Sequence, residues 1–469
     1  MKILLLNPPP YKQGAFVKEG RCQSRADPEF WPPITLAIIA SILRNEGYKI
    51  KLVDATIDNY TENDLIDLYK NFSPDITIFN STTTTFFDDL HAAELAKKVN
   101  ENVVTVFYGT HSTALPKESL DNDTIDIVIR AEPEITSRDL VKSIDSKRGL
   151  AEVKGISYKK DGKIINNPDR PPVEDLDSLP FPARDLLKNE KYKVPMRGGA
   201  FTIIRTSRGC PFKCTFCTSR LYYGDKWRTR SVNSVIEEIK EIKKLGIDNI
   251  FFNSDTFTFR KSFVLDLCKK LNDENLNIKW FCNSRVDTID MEMAKEMKNA
   301  GCWLIAFGIE SGNQEVLNRT KKGIKLEKAI ETISMVNKTG IETIAYFIFG
   351  LPGETKETLK DTIKFAKKCD PTYARFFTAV PFPGTEFYEE KLKEGKIKTL
   401  DWSKYDQADC DVFVIDGLSS EDIVKAEKSA FISFYIRPKY IIRLLGNPKR
   451  AIRSANSFFK QWVFSRRQK

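Results

Sequence analysis

The sequence predicts an α/β protein in which a doubly wound parallel sheet domain precedes a partial parallel barrel. Two observations support this prediction. Short apolar runs alternate with amphipathic helical patterns in both halves of the 469-residue chain. A group of three cysteines directly follows the first predicted strand of the second half. With 41% hydrophobic and 29% charged residues, the composition is that of a folded globular protein, and no apolar run approaches the roughly 20 residues of a membrane span.

Residues 1–145 read as a Rossmann-like domain. Five apolar runs predict buried parallel strands, with helical patterns such as 35–47 and 86–100 between them, and the runs lie at 2–7, 49–55, 75–80, 103–109 and 126–130. The ligand crevice of such a sheet lies beyond the carboxyl ends of its strands. The candidate residues there are Asn7, Ser81, Thr82, Gly109 and His111. The same loops are equally compatible with turns and helix caps, because serine and threonine are common N-caps.

Residues 146–200 predict a hairpin around Asp161-Gly162 and then a proline-rich connector between two domains.

Residues 201–390 alternate strands and helices again. Five helical patterns lie near 231–245, 261–272, 290–300, 325–339 and 356–369, between six candidate strands at 202–207, 248–254, 278–284, 303–309, 343–349 and 374–380. This order predicts a partial (β/α)6 barrel, whose chemistry belongs at the carboxyl ends of its strands. Residues 391–469 read as a C-terminal helical region with a basic tail.

The segment 205–220 contains Cys210, Cys214 and Cys217 in a C-x3-C-x2-C pattern. Three thiolates on one loop can hold three irons of a [4Fe-4S] cluster and leave the fourth iron open for a ligand. A zinc site needs a fourth protein ligand, which the nearby sequence does not offer. A disulfide explanation fits poorly, since the number is odd and no secretion signal precedes the first strand. The cysteine usage therefore also predicts a reducing, cytoplasmic location.

The cysteine spacing resembles the signature of the radical S-adenosylmethionine (SAM) enzymes. In that family the open iron chelates the methionine end of SAM, and a one-electron reduction cleaves SAM to methionine and a 5′-deoxyadenosyl radical. The resemblance extends to the other strand ends of the barrel, each of which taken alone could be a turn or a helix cap. It implies that the following residues contact the cofactor: Phe216, Asn253, Asp255, Ser284, Arg285, Glu310, Ser311, Gly350, Gly353 and Glu354.

The whole layout, covering roughly residues 1–430, resembles the cobalamin-binding-domain radical SAM superfamily. Further shared segments are Gly109-Thr110-His111, residues 129–134 and the connector stretch 176–182. The resemblance implies cobalamin as a further cofactor. One departure is that the D-x-H-x-x-G cobalt-ligand motif is absent, since neither His91 nor His111 stands in that context. Some members of the superfamily bind cobalamin without a protein ligand to cobalt, and others keep the fold without the cofactor, so both alternatives stay open here.

The function that the resemblance implies is cobalamin-dependent methylation of an unactivated carbon, with a ferredoxin or flavodoxin as electron donor. Without cobalamin, the same fold would form a ring or a carbon–carbon bond or carry out a rearrangement. A methylthiotransferase acting on tRNA is disfavoured, because the N-terminal domain lacks that family's own cysteine triplet. The alternative from another class is a non-catalytic iron–sulfur or cobalamin-binding protein. No residue set specifies the small-molecule or lipid substrate.

The formal charge of +10 is concentrated at the C-terminus, where ten basic residues and no acidic ones follow from Arg437 onward. Aromatic and aliphatic residues alternate with these cations, which is typical of an interfacial helix on anionic lipid. A fully solvated charged end is the alternative interpretation. Nucleic-acid binding is disfavoured, since no recognised binding motif accompanies the charge. The sequence therefore predicts peripheral contact with the inner face of a membrane.

Overall fold

The N-terminal half of the protein is built on a single large sheet. A computed structural model describes residues 1–10, 15–19, 24–26, 30–194, 197–407 and 411–445. The N-terminal strands are β1 (Lys2–Asn7), β2 (Ala15–Val17), β3 (Ser24–Ala26), β4 (Lys49–Asp54), β5 (Ile76–Asn80), β6 (Val104–Tyr108), β7 (Ile127–Ile129), β8 (Ile156–Lys160) and β9 (Lys163–Asn166). The helices are α1 (Ile34–Asn45), α2 (Glu62–Phe72), α3 (Phe86–Val99), α4 (Thr110–Ala114), α5 (Pro116–Asp121) and α6 (Pro133–Asp145).

The strand order of this sheet is β4-β1-β5-β6-β7-β8-β9. The five predicted parallel strands are present, and the helices lie between them as expected of a doubly wound sheet. The hairpin predicted around Asp161-Gly162 also forms, but it does not belong to the connector. Its first strand pairs antiparallel with β7, so the sheet has seven strands rather than five. Alternation within a hairpin does not show which third strand the hairpin will join.

The second half contains the predicted barrel. Its strands are β10 (Phe201–Ile204), β11 (Ser207–Arg208), β12 (Arg228–Thr229), β13 (Asn249–Phe252), β14 (Lys279–Ser284), β15 (Cys302–Glu310), β16 (Glu342–Phe349) and β17 (Tyr373–Thr378). Its helices are α7 (Ser219–Tyr223), α8 (Val232–Lys244), α9 (Lys261–Asp273), α10 (Met291–Asn299), α11 (Gln314–Arg319), α12 (Leu326–Lys338) and α13 (Lys356–Cys369). Six parallel strands follow the order β10-β13-β14-β15-β16-β17, as predicted.

Local sequence signals set the ends of the barrel helices. Ser231 caps α8 by accepting a hydrogen bond from the Ser234 amide, and the capping box of Thr355 and Thr358 begins α13. The buried faces of these helices cover the outside of the strands. Short 3-10 turns complete the secondary structure, at Thr83–Thr85, Leu176–Ser178, Arg184–Leu186, Asn189–Lys191, Phe257–Phe259 and Trp402–Lys404.

The helices of the C-terminal region are α14 (Glu386–Lys393), α15 (Ser420–Tyr435) and α16 (Pro438–Leu445), and α15 packs along β17 at the edge of the barrel sheet. The Tyr435 hydroxyl donates to the carbonyl of Ala374 and accepts from its amide, and the Thr378 amide donates to the Gln407 carbonyl. These bonds satisfy backbone groups that an edge strand would otherwise expose. The tail from residue 446 onward lies outside the described residues. In the part of the chain that the structure describes, no helix is both long enough and apolar enough to span a membrane.

Candidate functional site

The cysteine loop leaves the carboxyl end of β10 and is closed by a small ribbon. Strands β11 and β12 pair antiparallel and hold the two ends of the loop together. Gly209 has a φ of +83°, and a Cβ there would lie 2.2 Å from the Lys226 carbonyl oxygen, so only glycine fits. The Thr215 amide donates to the Thr320 carbonyl at 3.0 Å, which ties the loop to the segment after α11. The cysteines are therefore held by backbone contacts on both sides.

Cys210, Cys214 and Cys217 are half-buried thiols. Burial raises the pKa of Cys214, and the positive charges of Lys322 and Arg285 act in the opposite direction. Within the described residues, no three cysteine, histidine or carboxylate side chains converge on a single-ion position. Three cysteines on one loop are the ligand number of a [4Fe-4S] cluster with one open iron, and that these three thiols hold such a cluster stays a prediction.

The next two strand ends bring polar side chains to the same edge of the barrel. Asn253 and Ser254 follow β13 in buried positions, and the Ser254 and Thr206 hydroxyls lie 2.7 Å apart. Asp255 is partly exposed. Ser284, at the end of β14, is buried and hydrogen-bonded to Thr258. The predicted residues of β13 and β14 thus lie at the expected edge, and whether they bind SAM stays a prediction.

Arg285 is more constrained than its sequence position suggested. Its guanidinium carbon lies 3.5 Å from the centre of the Phe212 ring, in the cysteine loop. Asp287 accepts two hydrogen bonds from it, at 3.0 and 2.9 Å. The predicted carboxylate clamp is therefore already preorganised against the cysteine loop by an aromatic ring and a carboxylate.

We expect Arg285→Met to weaken SAM binding by roughly 1.5–3 kcal/mol, the range for a hydrogen bond to a charged group. The iron content should not change, because the cysteines keep their backbone contacts. Arg285→Lys, which keeps the charge but not the planar fork, should lose less affinity. Equilibrium binding of SAM to the anaerobic protein measures the loss of affinity in each of the two variants. Equal affinity in all three proteins would show that the clamp is misplaced.

Glu310 adopts a left-handed backbone conformation with a φ of +74°, which is unusual for a residue with a side chain. The ladder between β15 and β16 shifts register at this point. The Glu310 carboxylate accepts a hydrogen bond from Lys322 at 2.6 Å, and both side chains are buried. Backbone strain of this kind persists where the surrounding structure fixes the residue, and it clusters at functional sites.

Lys322 is a site residue that sequence reasoning missed. It follows α11 rather than a barrel strand, so its position in the sequence carries no strand-end signal. Its buried ammonium lies near the Cys214 thiol, and its carbonyl accepts a hydrogen bond from Arg285. The structure thus places a buried cation next to the cysteine triplet, in contact with two of the predicted cofactor residues.

The last strand ends place the remaining predicted residues in buried turns. The Ser311 hydroxyl lies 3.2 Å from the Thr362 hydroxyl. Glu354 is 2% exposed, and one of its carboxylate oxygens accepts hydrogen bonds from the amides of Gly350 and Leu351. The other oxygen, Oε1, is buried with no hydrogen-bond partner in the described residues. Glu354 therefore holds the turn after β16 through one carboxyl oxygen and leaves the other oxygen unpaired. Gly350 and Gly353 have φ values of +94° and +83°.

Burial raises the pKa of Glu354 from 4.5 to about 8. The folded protein then keeps the proton between these pH values while the unfolded chain loses it, so stability falls as pH rises from about 4.5 to 8 and levels off above. We expect Glu354→Gln to gain stability relative to the wild type across this interval, at up to about 1.4 kcal/mol per pH unit. Thermal unfolding of the cofactor-free protein at several pH values measures it. Glu357→Gln, on the exposed face of α13, is the matched control and should show no such trend above pH 5. A pH-independent difference for Glu354→Gln would contradict the prediction.

The carboxyl edge of the N-terminal sheet is rich in buried polar atoms without partners. A Cβ at Gly109 would lie 1.8 Å from the Ser81 carbonyl oxygen, so the loops after β5 and β6 are in direct contact. Around this contact, several side-chain groups have no hydrogen-bond partner within the described residues, namely those of Tyr108, Thr110, His111 and Ser112. Buried polar groups are normally satisfied. Their concentration at the ligand-binding edge of a doubly wound sheet fits a polar cofactor such as cobalamin.

The other predicted residues of this edge already make contacts within the protein. Asn7 donates to Asp54 at 2.7 Å, which fixes the loop after β1, and Thr82 pairs with Thr85. His111 is fully buried, with its ring 4.1 Å from that of Phe86 and 5.2 Å from that of Trp402. Burial lowers the pKa of His111 to about 3, so its imidazole is neutral. Ring packing holds His111 in place but leaves both of its nitrogens without a hydrogen-bond partner in the described residues, so whether His111 contacts a cofactor stays a prediction.

The carboxyl edge of the N-terminal sheet faces the carboxyl edge of the barrel. Helix α4, after β6, lies against α7 of the cysteine loop. A Cβ at Gly384, after β17, would lie 3.2 Å from Ala114 and 2.7 Å from Leu221, so the loop after the last strand closes onto the same place. The N-terminal crevice and the cysteine loop therefore form one composite site.

A buried ion network joins the two halves beneath this site. Arg208, two residues before Cys210, pairs with Glu132 at 2.7 Å and with Glu134 at 2.5 Å, and Arg228 pairs with Glu132 at 2.5 Å. All four side chains are at most 5% exposed. A second link, Arg205 to Glu19 at 2.7 Å, lies beside it. These pairs fix the cysteine loop relative to the N-terminal sheet.

A separate surface cleft of about 460 Å³ lies at the opposite, amino end of β6 and β7, where Ile127 and Leu150 form part of its wall. This cleft lies at the other end of the strands from the polar and thiol groups of the composite site. We therefore assign it no part in the chemistry.

A cysteine triplet at the carboxyl edge of a parallel barrel, beside a doubly wound sheet whose crevice holds unpartnered buried polar groups, is an arrangement that suits two cofactors. The sequence model of the Radical SAM superfamily matches residues 204–366, and that of the B12 binding domain matches residues 27–141. An uncharacterized methyltransferase of Pyrococcus horikoshii, PH0819, is 39% identical over 445 residues, which is 94% of each chain. The anaerobic magnesium-protoporphyrin IX monomethyl ester cyclase of Rubrivivax gelatinosus is 30% identical over 86% of this chain and 72% of that protein.

Among solved structures, the radical SAM methyltransferase TsrM of Kitasatospora setae superposes with a TM-score of 0.75 at 17% identity, over 93% of this chain and 91% of that chain. This similarity confirms the predicted fold. The chain belongs to the radical SAM superfamily, in the group whose members carry a B12 binding domain. The predicted family and the cofactors that characterise it, a [4Fe-4S] cluster, SAM and cobalamin, are thereby confirmed.

Proposed function

We propose that this protein is a methyltransferase that transfers a methyl group to an unactivated carbon of a small molecule. When bound, the cluster and SAM supply hydrogen abstraction from that carbon, and cobalamin supplies the methyl group. The proposal rests above all on the apposition of two edges, the cysteine loop and the unsatisfied polar crevice after β5 and β6. The 39% identical relative is itself named a methyltransferase.

The chain's own residues hold and orient these groups. Cys210, Cys214 and Cys217 ligate the cluster. Arg285 and Asp255 face the charged end of SAM, and the buried turn of Gly350 and Glu354 limits the access of water. A low-potential ferredoxin or flavodoxin supplies the electron that radical SAM enzymes require. The alternative is ring or bond formation without methyl transfer, since one relative is named a cyclase.

The discriminating experiment supplies SAM with a deuterated methyl group to the anaerobically reconstituted protein, with a low-potential reductant and a small-molecule extract. Methylation predicts products that carry the deuterated methyl group and that disappear when cobalamin is omitted. Products without label, formed equally well without cobalamin, would support the ring-forming alternative and contradict the proposal.

We further propose that the C-terminal helices attach the enzyme to an anionic membrane surface, which would give access to a lipid substrate. Four large apolar side chains of α15, α16 and the turn between them are 42–68% exposed, namely Ile432, Ile436, Ile441 and Ile442. Three cations, Arg437, Lys439 and Arg443, surround the single carboxylate of Asp370, so the adjacent surface keeps a net positive charge. Exposed apolar groups beside cations are typical of interfacial binding.

We expect the full-length protein to co-sediment with vesicles of phosphatidylcholine and phosphatidylglycerol, and salt to weaken the binding. Ile436→Asp with Ile442→Asp should abolish it. Truncation at residue 431 is a poor test, because Phe434 is fully buried and Tyr435 caps β17. Leu392→Asp is the matched control, since Leu392 is 48% exposed on α14. Protein that stays in the supernatant at low salt, or loses binding equally in the control, would contradict membrane attachment.

A further inference from the structure

Three aromatic rings form a partly exposed patch beside the cysteine loop. The Phe259 ring lies in the middle, with its centre 5.4 Å from the centre of the Trp227 ring and 6.1 Å from that of the Phe212 ring. Phe259 is 39% exposed, and Phe212 and Trp227 are half-buried. We call these three residues the ring patch. Exposed apolar groups that lie together, rather than singly, mark surfaces that bind another molecule.

The ring patch is continuous with the cysteine loop. Phe212 lies between Cys210 and Cys214 in the chain, so it belongs to the loop itself. The Arg285 guanidinium lies 3.5 Å from the centre of its ring, and the Phe259 ring meets it edge to face. A molecule that binds on Phe259 therefore comes within one packed ring of the cysteine loop.

Two cations border the ring patch. The Arg260 guanidinium carbon lies 4.9 Å from the centre of the Trp227 ring, and Lys213 follows Phe212 in the loop. Both are exposed, and neither forms an ion pair within the described part of the chain. The lysines next to Trp227 and Arg260 in the chain are already in ion pairs, namely Lys226 with Glu174 and Lys261 with Asp290 and Glu292.

This combination of side chains is typical of a protein–protein interface. Aromatic residues and arginine are enriched at the centres of such interfaces, and tryptophan and arginine often contribute most of the binding energy. Cations at the rim attract an acidic partner and speed its association. A small patch suits the weak encounters in which proteins exchange electrons. The chemistry and the position beside the cysteine loop therefore fit an acidic electron-transfer protein.

We infer that the ring patch, with Arg260 and Lys213, is the docking surface for a low-potential electron-donor protein whose binding face is acidic. The inference deepens the proposed function and rests on it, because a cluster in the cysteine loop has to receive one electron for each SAM that is cleaved. The donor is oxidised by one electron and the cluster is reduced by one. The rings supply the apolar contact, and the two cations orient the acidic face of the donor.

The test compares protein and chemical reductants in SAM cleavage by the anaerobically reconstituted full-length protein. Pre-reduced flavodoxin and pre-reduced ferredoxin, both acidic proteins, have to dock, whereas dithionite does not. We expect Phe259→Asp with Arg260→Glu to lower the rate of 5′-deoxyadenosine formation about ten-fold or more with sub-saturating donor protein. The rate with dithionite should equal that of the wild type. Salt should slow the donor-driven reaction of the wild type more than that of the variant.

The matched control is Leu245→Asp with Lys269→Glu. Leu245 is 45% exposed just before the amino end of β13, and Lys269 is exposed near the end of α9. This control makes the same kinds of change at the opposite end of the barrel, and it should react with every reductant as the wild type does. Calorimetry with oxidised flavodoxin gives a second readout that needs no turnover, and the Phe259 and Arg260 double variant should bind it about ten-fold more weakly.

Arg260→Glu alone keeps the test decisive if the double variant does not fold, because Arg260 is exposed and makes no ion pair in the described residues. It should lower the donor-driven rate about three-fold. An unchanged donor-driven rate would overturn the inference, as would an equal fall of the donor-driven and dithionite-driven rates, which would place the effect in the cluster site. Wild type that accepts electrons from dithionite but from neither donor protein would overturn it too. Protein that shows the expected donor dependence but transfers no labelled methyl group would sink the proposed function alone.

Discussion

Replacing any one of Cys210, Cys214 and Cys217 with alanine should abolish the iron–sulfur absorbance and all cleavage of SAM. The loop offers three thiolates, and loss of one leaves too few ligands to hold the cluster. Anaerobically reconstituted wild type should contain about four irons per chain. Iron analysis, the visible absorption spectrum and the yield of 5′-deoxyadenosine measure the effect.

Cys268→Ala is the matched control, because Cys268 is a fully buried cysteine of α9, in the outer core of the barrel. It should keep its iron and its activity, with some loss of stability from the cavity that the smaller side chain leaves. A triple variant of the loop cysteines that still cleaves SAM would contradict the assignment.

The second large effect concerns the buried network beneath the site. Arg208→Met leaves Glu134 and part of Glu132 without a partner in a buried setting. Removing one partner of a buried ion pair typically costs about 3–5 kcal/mol. Because Arg208 lies two residues before Cys210, the variant should also bind iron less tightly. Denaturant unfolding and iron retention during gel filtration measure the two effects.

The matched control for Arg208→Met is Arg44→Met. Arg44 also joins the N-terminal domain to a later segment, by pairing with Asp185, but the two side chains are 46% and 56% exposed. Exposed pairs of this kind contribute about 1 kcal/mol or less. Equal destabilisation by the two substitutions would show that the buried network has no special role.

The sequence predicted the barrel well because its signals are local. Each of the six strands is a short apolar run, and the structure places all six in the predicted order, with ends within three residues of the expected ones. The residues after each strand must then meet at one edge, since all the strands are parallel. The cysteine loop, Arg285 and Glu310 could thus be placed together without coordinates.

The parts that escaped prediction depend on distant partners. Glu134 and Arg208 are 74 residues apart, and each reads in the sequence as an ordinary surface charge. Lys322 belongs to a turn after a helix and becomes a site residue only because Glu310 reaches it from β15. The hairpin of β8 and β9 joins the sheet by pairing with β7, and the alternating sequence of the hairpin does not indicate this partner. In each case the structural role depends on which residues come into contact in the fold, and the residue type alone does not show it.

We propose that the cysteine loop and the facing crevice form one radical SAM site. The most direct measurement incubates the anaerobically reconstituted full-length protein with SAM and a low-potential reductant, with and without cobalamin, and quantifies 5′-deoxyadenosine. We expect cleavage of SAM to methionine and 5′-deoxyadenosine that depends on the three loop cysteines, together with stoichiometric binding of cobalamin. Protein that carries its full complement of iron but neither cleaves SAM nor binds cobalamin would show that the loop and the crevice do not form such a site.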